Sequence, residues 1–291
     1  MLKVVVATVL ATCCCLCWSA VSFRSERALV VDEETGEVLL DKNSDSAAPI
    51  ASMTKLMTLM VVLDKAQDPE EVLVVERADI DSRERIKTCI PVGTQLPRRT
   101  MVTLALLASD NHAASVLART FEGGRAAFDD AMRQKILDLD LTSTVIEEPT
   151  GLSPRNASSA QDLVKVLTAA EAYPEITSAT SQASQTVVVN GRVRDFHNTN
   201  RLVGSPGWDI SLSKTGTTVA AGRCLAMRIQ SAGRTIIVVL MGAVEKSARV
   251  IDALSIRRWL TGEEPPVLQA RAAASSKPPR HRTKATRVAS L

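Results

Sequence analysis

Residues 49–63 of this chain, PIASMTKLMTLMVVL, combine an apolar segment with two chemically active side chains. Nearly every position after Lys55 is apolar, which predicts a helix buried in a core rather than one lying on the surface. Ser52 and Lys55 are three residues apart and therefore share one face of the first helical turn. Burying a lysine is costly unless the amine is paired or loses its proton. A serine beside a neutral amine is a nucleophile beside a base.

The Ser-x-x-Lys spacing is not diagnostic by itself, because it arises often by chance. In the alternative interpretation, Ser52 caps the helix and Lys55 extends its amine to solvent. The choice between the two interpretations depends on what the rest of the chain supplies.

The composition sets broad limits on the function. The chain has 291 residues, of which 45% are hydrophobic, enough for one large domain or two lobes sharing a core. Its 35 Lys and Arg nearly balance 32 Asp and Glu, and aromatic residues make up 3%, so no nucleic-acid partner is expected. The body has no His-Glu-x-x-His or paired Cys-x-x-Cys, so we predict no metal and no cofactor. A Ser-His-Asp triad would have to use His112 or His197.

Residues 1–22 have the pattern of a secretory signal peptide. A lysine precedes an apolar run over residues 4–18, and residues 20–22 (AVS) offer a small-residue cleavage site. The run, about 15 residues, is short for a membrane span. We therefore expect export with no transmembrane anchor after cleavage; a retained N-terminal anchor is the alternative. Cleavage would leave Cys89 and Cys224 as the cysteines of the mature chain.

The C-terminal residues 263–291 differ in composition from the body. They are rich in Ala, Ser, Pro and basic residues. After the two prolines at 265 and 266 there are several Lys and Arg residues and no Asp or Glu. Such a segment cannot bury enough apolar surface to fold, so we predict a disordered basic tail. Residues 23–262 remain as one folded body.

The order of secondary-structure signals predicts the architecture. Strand patterns flank residues 35–36 (TG) near the N-terminus, and strands return later around the hairpin signal at 190–191 (NG). Helical patterns fill the middle, and a last helix is expected over 246–260. We predict an α/β (α+β) fold, with one antiparallel sheet built from both termini and a helical subdomain inserted.

Three local features refine the middle of the chain. Residues 109–111 (SDN) prefer caps and turns and separate two apolar runs, which predicts a loop joining two buried helices. A further helix is expected from Ser159 to about residue 172, stopped near Pro174. Residues 64–99 carry proline and glycine punctuation and predict short strands and loops.

Three short motifs occur in a fixed order along the chain. They are residues 52–55 (SMTK), 109–111 (SDN) and 214–216 (KTG). Their settings are a buried helix start, a loop between helices and an alternating strand. In order and setting they resemble the penicillin-recognising serine enzymes, a group that includes the DD-peptidases and the class A β-lactamases.

The resemblance extends over residues 26–262. The segments that carry it are 49–58, 148–153, 198–200, 214–217 and 221–222. They look like those of the low-molecular-mass serine DD-peptidases, closest to the D-alanyl-D-alanine endopeptidases of the penicillin-binding protein 7 type. The resemblance implies a β-lactamase/transpeptidase-like fold with the catalytic domain over 23–262. It also implies peptidoglycan stem peptides as substrate, β-lactams as acylating inhibitors and a periplasmic location.

The resemblance assigns the catalytic roles to three residues. Ser52 would attack the carbonyl of a D-amino-acid peptide bond and form an acyl-enzyme. Lys55 would take the Ser52 proton, helped by burial and by the second cation Lys214. Ser109 would relay the proton to the departing amine.

Five further positions are implied as the binding site. Asn111 would hold the substrate backbone, while Lys214 and Thr215 would bind a substrate carboxylate. Gly216 would allow a close approach of the substrate. The oxyanion hole would consist of the backbone N–H groups of Ser52 and Thr217.

The branch of the family is less firmly indicated. The chain leaves no room for the second β-rich domain of the carboxypeptidases, and its tail lacks their amphipathic membrane helix. Both points favour an endopeptidase that cuts D-alanyl-diaminopimelate cross-links, with a D-alanyl-D-alanine carboxypeptidase as the alternative. Asp110 is also typical of β-lactamases.

Two other functions compete with peptidase activity. A class A β-lactamase needs a Glu with an Asn four residues later, whereas Glu148 has Leu152 there and Asn156 lies eight residues away. This spacing predicts acylation by penicillin with slow release. A penicillin-sensing, wall-binding protein without catalysis is the non-enzymatic alternative, and the intact motifs argue against it.

Overall fold

The computed structural model describes residues 23–81 and 90–263. The predicted signal peptide at 1–22, Cys89, and the predicted tail beyond residue 263 lie outside these residues. The strands are β1 (Arg27–Asp32), β2 (Val38–Lys42), β3 (Ala48–Pro49), β4 (Val72–Val74), β5 (Gln95–Pro97), β6 (Ala157–Ser158), β7 (Ser184–Val189), β8 (Arg192–His197), β9 (Asp209–Thr218), β10 (Gly222–Ser231) and β11 (Arg234–Ala243). The α-helices are α1 (Thr54–Asp64), α2 (Arg98–Leu107), α3 (Asn111–Arg119), α4 (Gly124–Asp138), α5 (Ala160–Ala170), α6 (Pro174–Ser181) and α7 (Ala248–Leu260), with short 3₁₀ helices at Ala51–Met53 and Arg77–Asp79.

The central sheet joins the two ends of the described chain. Its order is β2-β1-β11-β10-β9, and every neighbouring pair is antiparallel. The N-terminal strand β1 pairs with β11, with Val30 opposite Val238. The prediction of one sheet built from both termini is therefore confirmed. The strand β9, which carries residues 214–216, forms one edge of this sheet.

The two faces of the sheet are buried against different partners. In β11, Ile237 and Val239 belong to the core shared with helices α1–α6, whereas Ile236 and Val238 pack with Ile256 of α7. This division follows from the two-residue period of side chains along a strand. The helical subdomain is thus attached to one face of the sheet, and β9 lies at the boundary between them.

Helix α1 is the centre of the helical subdomain. All its residues from Thr54 to Val62 are buried, as its uninterrupted apolar sequence predicts. Leu56 and Leu59 have no exposed surface, so truncating either to Ala would cost about 2–5 kcal/mol of stability. The N-terminal end of this rigid helix carries Lys55.

The helix predicted from Ser159 is confirmed as α5, which ends at Ala170, before Pro174. The difference from the prediction is a further helix, α6, which Pro174 opens. Proline suits the first position of a helix because the N–H it lacks would have no intrahelical partner there. The difference matters for the site, because the α6 carbonyl of Thr180 accepts hydrogen bonds from Ser213 of β9 and from Asn198.

The hairpin predicted around residues 190–191 is confirmed, although it does not extend the main sheet. Strands β7 and β8 pair only with each other. Asn190 and Gly191 both have positive φ, +51° and +72°, as a two-residue hairpin turn requires. Within residues 23–81 and 90–263, no helix has the length and apolar character needed to cross a bilayer.

Candidate active site

Ser52 lies at the exposed start of a buried element. It occupies the 3₁₀ helix Ala51–Met53, directly before α1, and is only partly buried, whereas its neighbours Ala51 and Met53 are buried. Ala51 has a φ of +49°, which is uncommon for a residue with a side chain. Such strained positions concentrate at functional sites. The local fold therefore presents the Ser52 hydroxyl at the end of a rigid helix.

Lys55 has no exposed surface and is surrounded by oxygen atoms. Its Nζ lies 3.1 Å from Ser52 Oγ, 2.7 Å from Asn111 Oδ1 and 2.7 Å from the Thr150 carbonyl oxygen. The amide and carbonyl oxygens can only accept, so each takes an N–H of Lys55. In the contact with Ser52, the Lys55 amine is the donor. In its neutral form the amine would have two N–H groups for these two acceptors and one lone pair for the Ser52 hydroxyl.

The loop at residues 109–111 joins α2 to α3, as predicted. Ser109 has a φ of +57°, and the Asp110 carboxylate accepts from Ala113 N at 2.9 Å, which caps α3. The other Asp110 oxygen accepts from Ile90 N at 3.3 Å. Asn111 is consequently the first residue of α3 and reaches Lys55, a contact that the sequence did not predict.

Lys214 approaches from the edge strand β9. It is 1% exposed, and its Nζ donates to Ser109 Oγ at 2.7 Å and to the Thr215 carbonyl at 3.2 Å. Burial holds the pKa of Lys214 well below the usual value for lysine, and the nearby cations Lys55 and Arg249 lower it further. The Thr215 hydroxyl donates to Thr199 Oγ1 at 2.8 Å.

Gly216 lets β9 approach the backbone of Ser52. A Cβ at Gly216 would lie 2.7 Å from the Ile50 carbonyl oxygen and 3.2 Å from Ser52 N. Any side chain would therefore force the strand away from Ser52. Thr217 is the next residue of β9 after Gly216. Two backbone N–H groups near a nucleophile can stabilise an oxyanion.

The loop at residues 148–153 closes the other side of Ser52. The buried Glu148 carboxylate accepts from the backbone N–H groups of Thr150, Gly151 and Ser153. It also accepts from Thr150 Oγ1 and Asn156 Nδ2. This network fixes the Thr150 carbonyl that contacts Lys55. Gly151 has a φ of +88°, and a Cβ there would lie 2.0 Å from the Ala51 carbonyl oxygen.

The sequence reasoning assigned no role to two groups of the site. The first is the Thr150 carbonyl, which belongs to a segment noted only for its resemblance. The second is Arg249 of α7, whose Nη1 donates to the carbonyls of Gly216 at 3.1 Å and Cys224 at 2.8 Å. Burial lowers the pKa of Arg249, and the neighbouring Arg223 adds to this effect. No local pattern marks position 249, because only the tertiary fold brings α7 to the end of β9.

The structure brings together the residues that the sequence singled out. Contacts link Ser52 to Lys55, Lys55 to Asn111, and Ser109 to Lys214. Gly216 lies against the Ser52 backbone. Among residues 23–81 and 90–263, no cluster of three or more His, Cys, Asp or Glu side chains is placed to hold a metal ion. His112 is buried, and its Nδ1 lies 2.7 Å from the Ile90 carbonyl oxygen.

Comparison with known proteins places this chain in a family. Residues 17–245 match the peptidase S11 family, described as D-alanyl-D-alanine carboxypeptidase. The chain belongs to this family. It is 40% identical over 242 residues to a D-alanyl-D-alanine endopeptidase of Pseudomonas aeruginosa, covering 82% of this chain and 78% of the relative. It is 39% identical over 246 residues to a D-alanyl-D-alanine endopeptidase of Escherichia coli, covering 84% and 79%.

More distant relatives and solved structures agree. A D-alanyl-D-alanine carboxypeptidase of Bacillus subtilis is 29% identical over 247 residues, covering 81% of this chain and 62% of the relative. The Streptomyces K15 DD-transpeptidase superposes with a TM-score of 0.75 at 22% identity, covering 83% of this chain and 98% of that one. A D-alanyl-D-alanine carboxypeptidase of Mycobacterium tuberculosis gives 0.74 at 26% identity, covering 84% and 94%. The fold is transpeptidase-like, and the chain is a serine DD-peptidase.

Proposed function

We propose that this protein is a D-alanyl-D-alanine endopeptidase that cuts D-alanyl cross-links between peptidoglycan stem peptides through an acyl-enzyme at Ser52. The observation that carries the proposal is the set of oxygen atoms around Lys55. Two of them accept N–H groups, and the third belongs to the Ser52 hydroxyl. The choice of endopeptidase is supported by the two relatives of that name at 39% and 40% identity.

Acylation begins with a proton transfer across the 3.1 Å contact between Ser52 and Lys55. As Ser52 Oγ bonds to the carbonyl carbon of the D-alanyl residue, its proton passes to Lys55 Nζ. The carbonyl oxygen becomes an oxyanion and accepts from the N–H groups of Ser52 and Thr217. Losing one such donor costs about 100- to 1,000-fold in rate.

Collapse of the tetrahedral intermediate breaks the peptide bond, and the departing nitrogen needs one proton. Ser109 can give its hydroxyl proton to this nitrogen and take another from Lys214 Nζ, which donates to Ser109 Oγ at 2.7 Å. The proton that Lys55 received from Ser52 must then pass to Lys214 to complete the transfer, after which Lys55 is neutral again and Lys214 has recovered its proton. Water then attacks the ester, Lys55 takes its proton, and Ser52 is restored.

The substrate is held at the edge strand. Lys214 provides a cation for a carboxylate of the leaving group. The Thr215 hydroxyl, which donates to Thr199 Oγ1 in the free site, would turn to donate to the same carboxylate. A bound carboxylate favours the charged form of Lys214, which compensates for its burial. Asn111 accepts from Lys55, so we assign it to positioning the base as well as to contacting the substrate backbone. Gly216 keeps β9 close to Ser52.

The competing enzymatic functions differ in the group released during acylation or in the fate of the acyl-enzyme. A carboxypeptidase would release terminal D-alanine, and the description of the family and the Bacillus subtilis relative favour this second candidate. A class A β-lactamase needs a carboxylate to activate water. Glu148 is unsuited to that task, because both its oxygens accept hydrogen bonds from the 148–153 loop and Asn156.

The test is digestion of cross-linked muropeptides with the purified protein, read by mass spectrometry. We expect dimers to be converted to monomers by the protein and not by a Ser52→Ala variant. Loss of terminal D-alanine with dimers intact would identify a carboxypeptidase instead. A fluorescent penicillin should label the protein at Ser52 and be released slowly. Rapid turnover would identify a β-lactamase, and no labelling would identify a non-catalytic wall-binding protein.

The same proposal includes the cellular setting. Residues 1–22 would direct export to the periplasm and be removed, leaving residues 23–262 as the catalytic domain and 263–291 as a basic tail. Cell fractionation followed by determination of the mature N-terminus tests this part. An N-terminus near residue 23 in the periplasmic fraction is expected, whereas an uncleaved chain in the membrane fraction would contradict it.

A further inference from the structure

The segment at residues 198–200 contacts the residues that hold the substrate carboxylate, yet it has no part in the steps above. Thr199 Oγ1 lies 2.8 Å from Thr215 Oγ1, and Thr215 is the donor in this contact. Thr215 follows Lys214 on β9. The Thr199 hydroxyl is therefore one hydrogen bond away from the carboxylate site, although Thr199 belongs to none of the three motifs.

The backbone around Thr199 is fixed by contacts with two helices. Thr199 N donates to the carbonyl of Leu107, the last residue of α2, at 3.2 Å. The Asn198 side chain donates to the carbonyls of Thr180 in α6 at 2.9 Å and of Gln182 at 3.0 Å. A hydroxyl on a backbone that is already ordered can orient a neighbouring side chain at little further entropic cost.

The number of protons on the two hydroxyls limits what they can do together. A threonine hydroxyl donates one hydrogen bond and can accept two. In the free site the Thr215 proton is used for Thr199, whereas the Thr199 hydroxyl donates to no acceptor within residues 23–81 and 90–263. If Thr215 turns to a carboxylate, the Thr199 oxygen loses its donor, but Thr199 still has an unused proton of its own.

We propose that the hydrogen bond between Thr215 and Thr199 reverses its direction when substrate binds. In the complex Thr199 donates to Thr215 Oγ1, and Thr215 donates to the substrate carboxylate. No proton is transferred, because each hydroxyl only rotates about its C–O bond. Two hydrogen bonds in series that end on an anion strengthen each other. Thr199 is thus a positioning residue that makes Thr215 a better donor, an inference that rests on the carboxylate site of the proposed function.

A fixed acceptor without this reversal would have the opposite effect. If Thr199 only accepted, it would hold the Thr215 proton away from the substrate, and binding would have to break the 2.8 Å contact. Removing the Thr199 hydroxyl would then improve recognition of the carboxylate. The two arrangements therefore differ in the sign of the effect that a substitution produces.

The experiment measures the second-order rate constant of acylation by benzylpenicillin and by its carboxyl methyl ester, using stopped flow. Thr199→Val keeps the shape of the side chain and removes the hydroxyl. We expect it to lower the rate constant for the free acid about fivefold, the size of one hydrogen bond, and to leave that for the ester unchanged. Thr199→Ser keeps the hydroxyl and should react like wild type.

The Thr215→Val background tests whether Thr199 acts through Thr215. In a double-mutant cycle, Thr199→Val should have no further effect there, because the hydroxyl that it orients is absent. A loss that persists in this background would overturn the proposal. So would a rate for the free acid that stays the same or rises in Thr199→Val, or equal losses on acid and ester, which would mean that Thr199 only supports the fold.

The matched control is Thr186→Val, which removes an exposed hydroxyl that donates to Asp195 at 2.6 Å in the β7–β8 hairpin. It should leave both rates unchanged. Failure of the proposed function gives a different result. Wild-type protein would then not be labelled by penicillin at all, or would react equally with acid and ester and so lack the carboxylate site itself.

Discussion

The site contains two buried lysines, one from a helix and one from a strand, and their surroundings differ. Lys55 belongs to α1 and is 0% exposed, while Lys214 belongs to β9 and is 1% exposed. Lys55 faces an amide oxygen, a carbonyl oxygen and the Ser52 hydroxyl. Lys214 faces the Ser109 hydroxyl and a carbonyl of its own strand, with Lys55 and Arg249 as cationic neighbours.

This comparison teaches that burial alone does not assign a role to a lysine. Around Lys55, two pure acceptors would engage both N–H groups of the neutral amine and leave its lone pair for Ser52, an arrangement that suits a base once the charge of Lys55 is lost. Around Lys214, the neighbouring cations leave the charged form in need of an anion, which suits a carboxylate site. We expect the two lysines to respond differently to the same substitutions.

The largest difference is expected from replacing each lysine by arginine. Lys55→Arg should lower the rate of penicillin acylation about 100- to 10,000-fold, because a guanidinium does not give up its proton and cannot act as a base. Lys214→Arg should lower it only modestly, since the charge that binds a carboxylate is kept. Stopped-flow measurement with a fluorescent penicillin compares the two.

Circular dichroism and thermal melting serve as the control for this pair, because both variants enlarge a buried side chain. Only variants that melt cooperatively should be compared. If folded Lys55→Arg protein acylates within tenfold of wild type, the assignment of Lys55 as the base is wrong.

Gly216→Ala tests the part of the site that β9 forms, which includes Lys214. The new Cβ would lie 2.7 Å from the Ile50 carbonyl and 3.2 Å from Ser52 N, so β9 has to move away from the nucleophile. We expect acylation to fall about 100-fold or more, as for loss of an oxyanion donor. An acylation rate close to wild type would show that the close approach of β9 is not needed.

Gly151→Ala tests the surroundings of Lys55, which include the 148–153 loop, by its effect on stability. Its Cβ would overlap the Ala51 carbonyl at 2.0 Å, in a residue whose φ is +88°. The matched control is Gly36→Ala, which has a φ of +71° but no atom within 4 Å of the new Cβ. The control should lose about 1–2 kcal/mol from conformation alone, and Gly151→Ala should lose more.

Chemical denaturation measures both free energies of unfolding. Equal losses in the two variants would mean that the 148–153 loop can move away from Ala51 without cost. In that case the Thr150 carbonyl would not be a fixed partner of Lys55.

Much of this site could be predicted from the sequence, because its key residues sit in recognisable local settings. The apolar run after Lys55 predicts a buried helix, and Ser-Asp-Asn between two apolar runs predicts an inter-helix loop. Both are present as α1 and as the connection between α2 and α3. The alternation around Lys214 likewise predicts the strand β9.

The rest of the site depends on tertiary contacts that have no local pattern. Arg249 is a polar position of α7 like its neighbours, and it reaches the site only because α7 packs on the sheet beside β9. The Thr150 carbonyl is a backbone group, so no side-chain pattern identifies it. Pro174 follows the end of α5, as predicted, but it also opens the unpredicted helix α6, because proline fits the first position of a helix as well as the segment after an end.

The pH dependence of acylation should separate the two lysines further. Since the pKa of Lys214 is lowered by burial and by its cationic neighbours, its amine loses its charge at a lower pH than an exposed lysine does. Above that pH the attraction for the carboxylate of penicillin is lost, so the rate should decline. In Lys214→Arg the charge persists, and the decline should shift to higher pH.

A profile measured from neutral to alkaline pH, with melting curves at each pH, checks this shift. If the alkaline decline is the same in wild type and Lys214→Arg, another group controls it. Because Lys55 and Lys214 influence each other, the observed value belongs to the pair rather than to one residue.

The smallest effect concerns Cys224, a buried residue on the strand next to β9. Cys224 lies opposite Gly216 in the sheet register, is fully buried, and burial raises the pKa of its thiol to about 11. Little of the reactive thiolate is present at neutral pH, so iodoacetamide should not modify Cys224 in the native protein but should do so after denaturation. Peptide mapping by mass spectrometry distinguishes it from Cys89. Rapid native labelling would mean that water reaches the strand side of the site, and the burial assigned to Lys214 would then be too great.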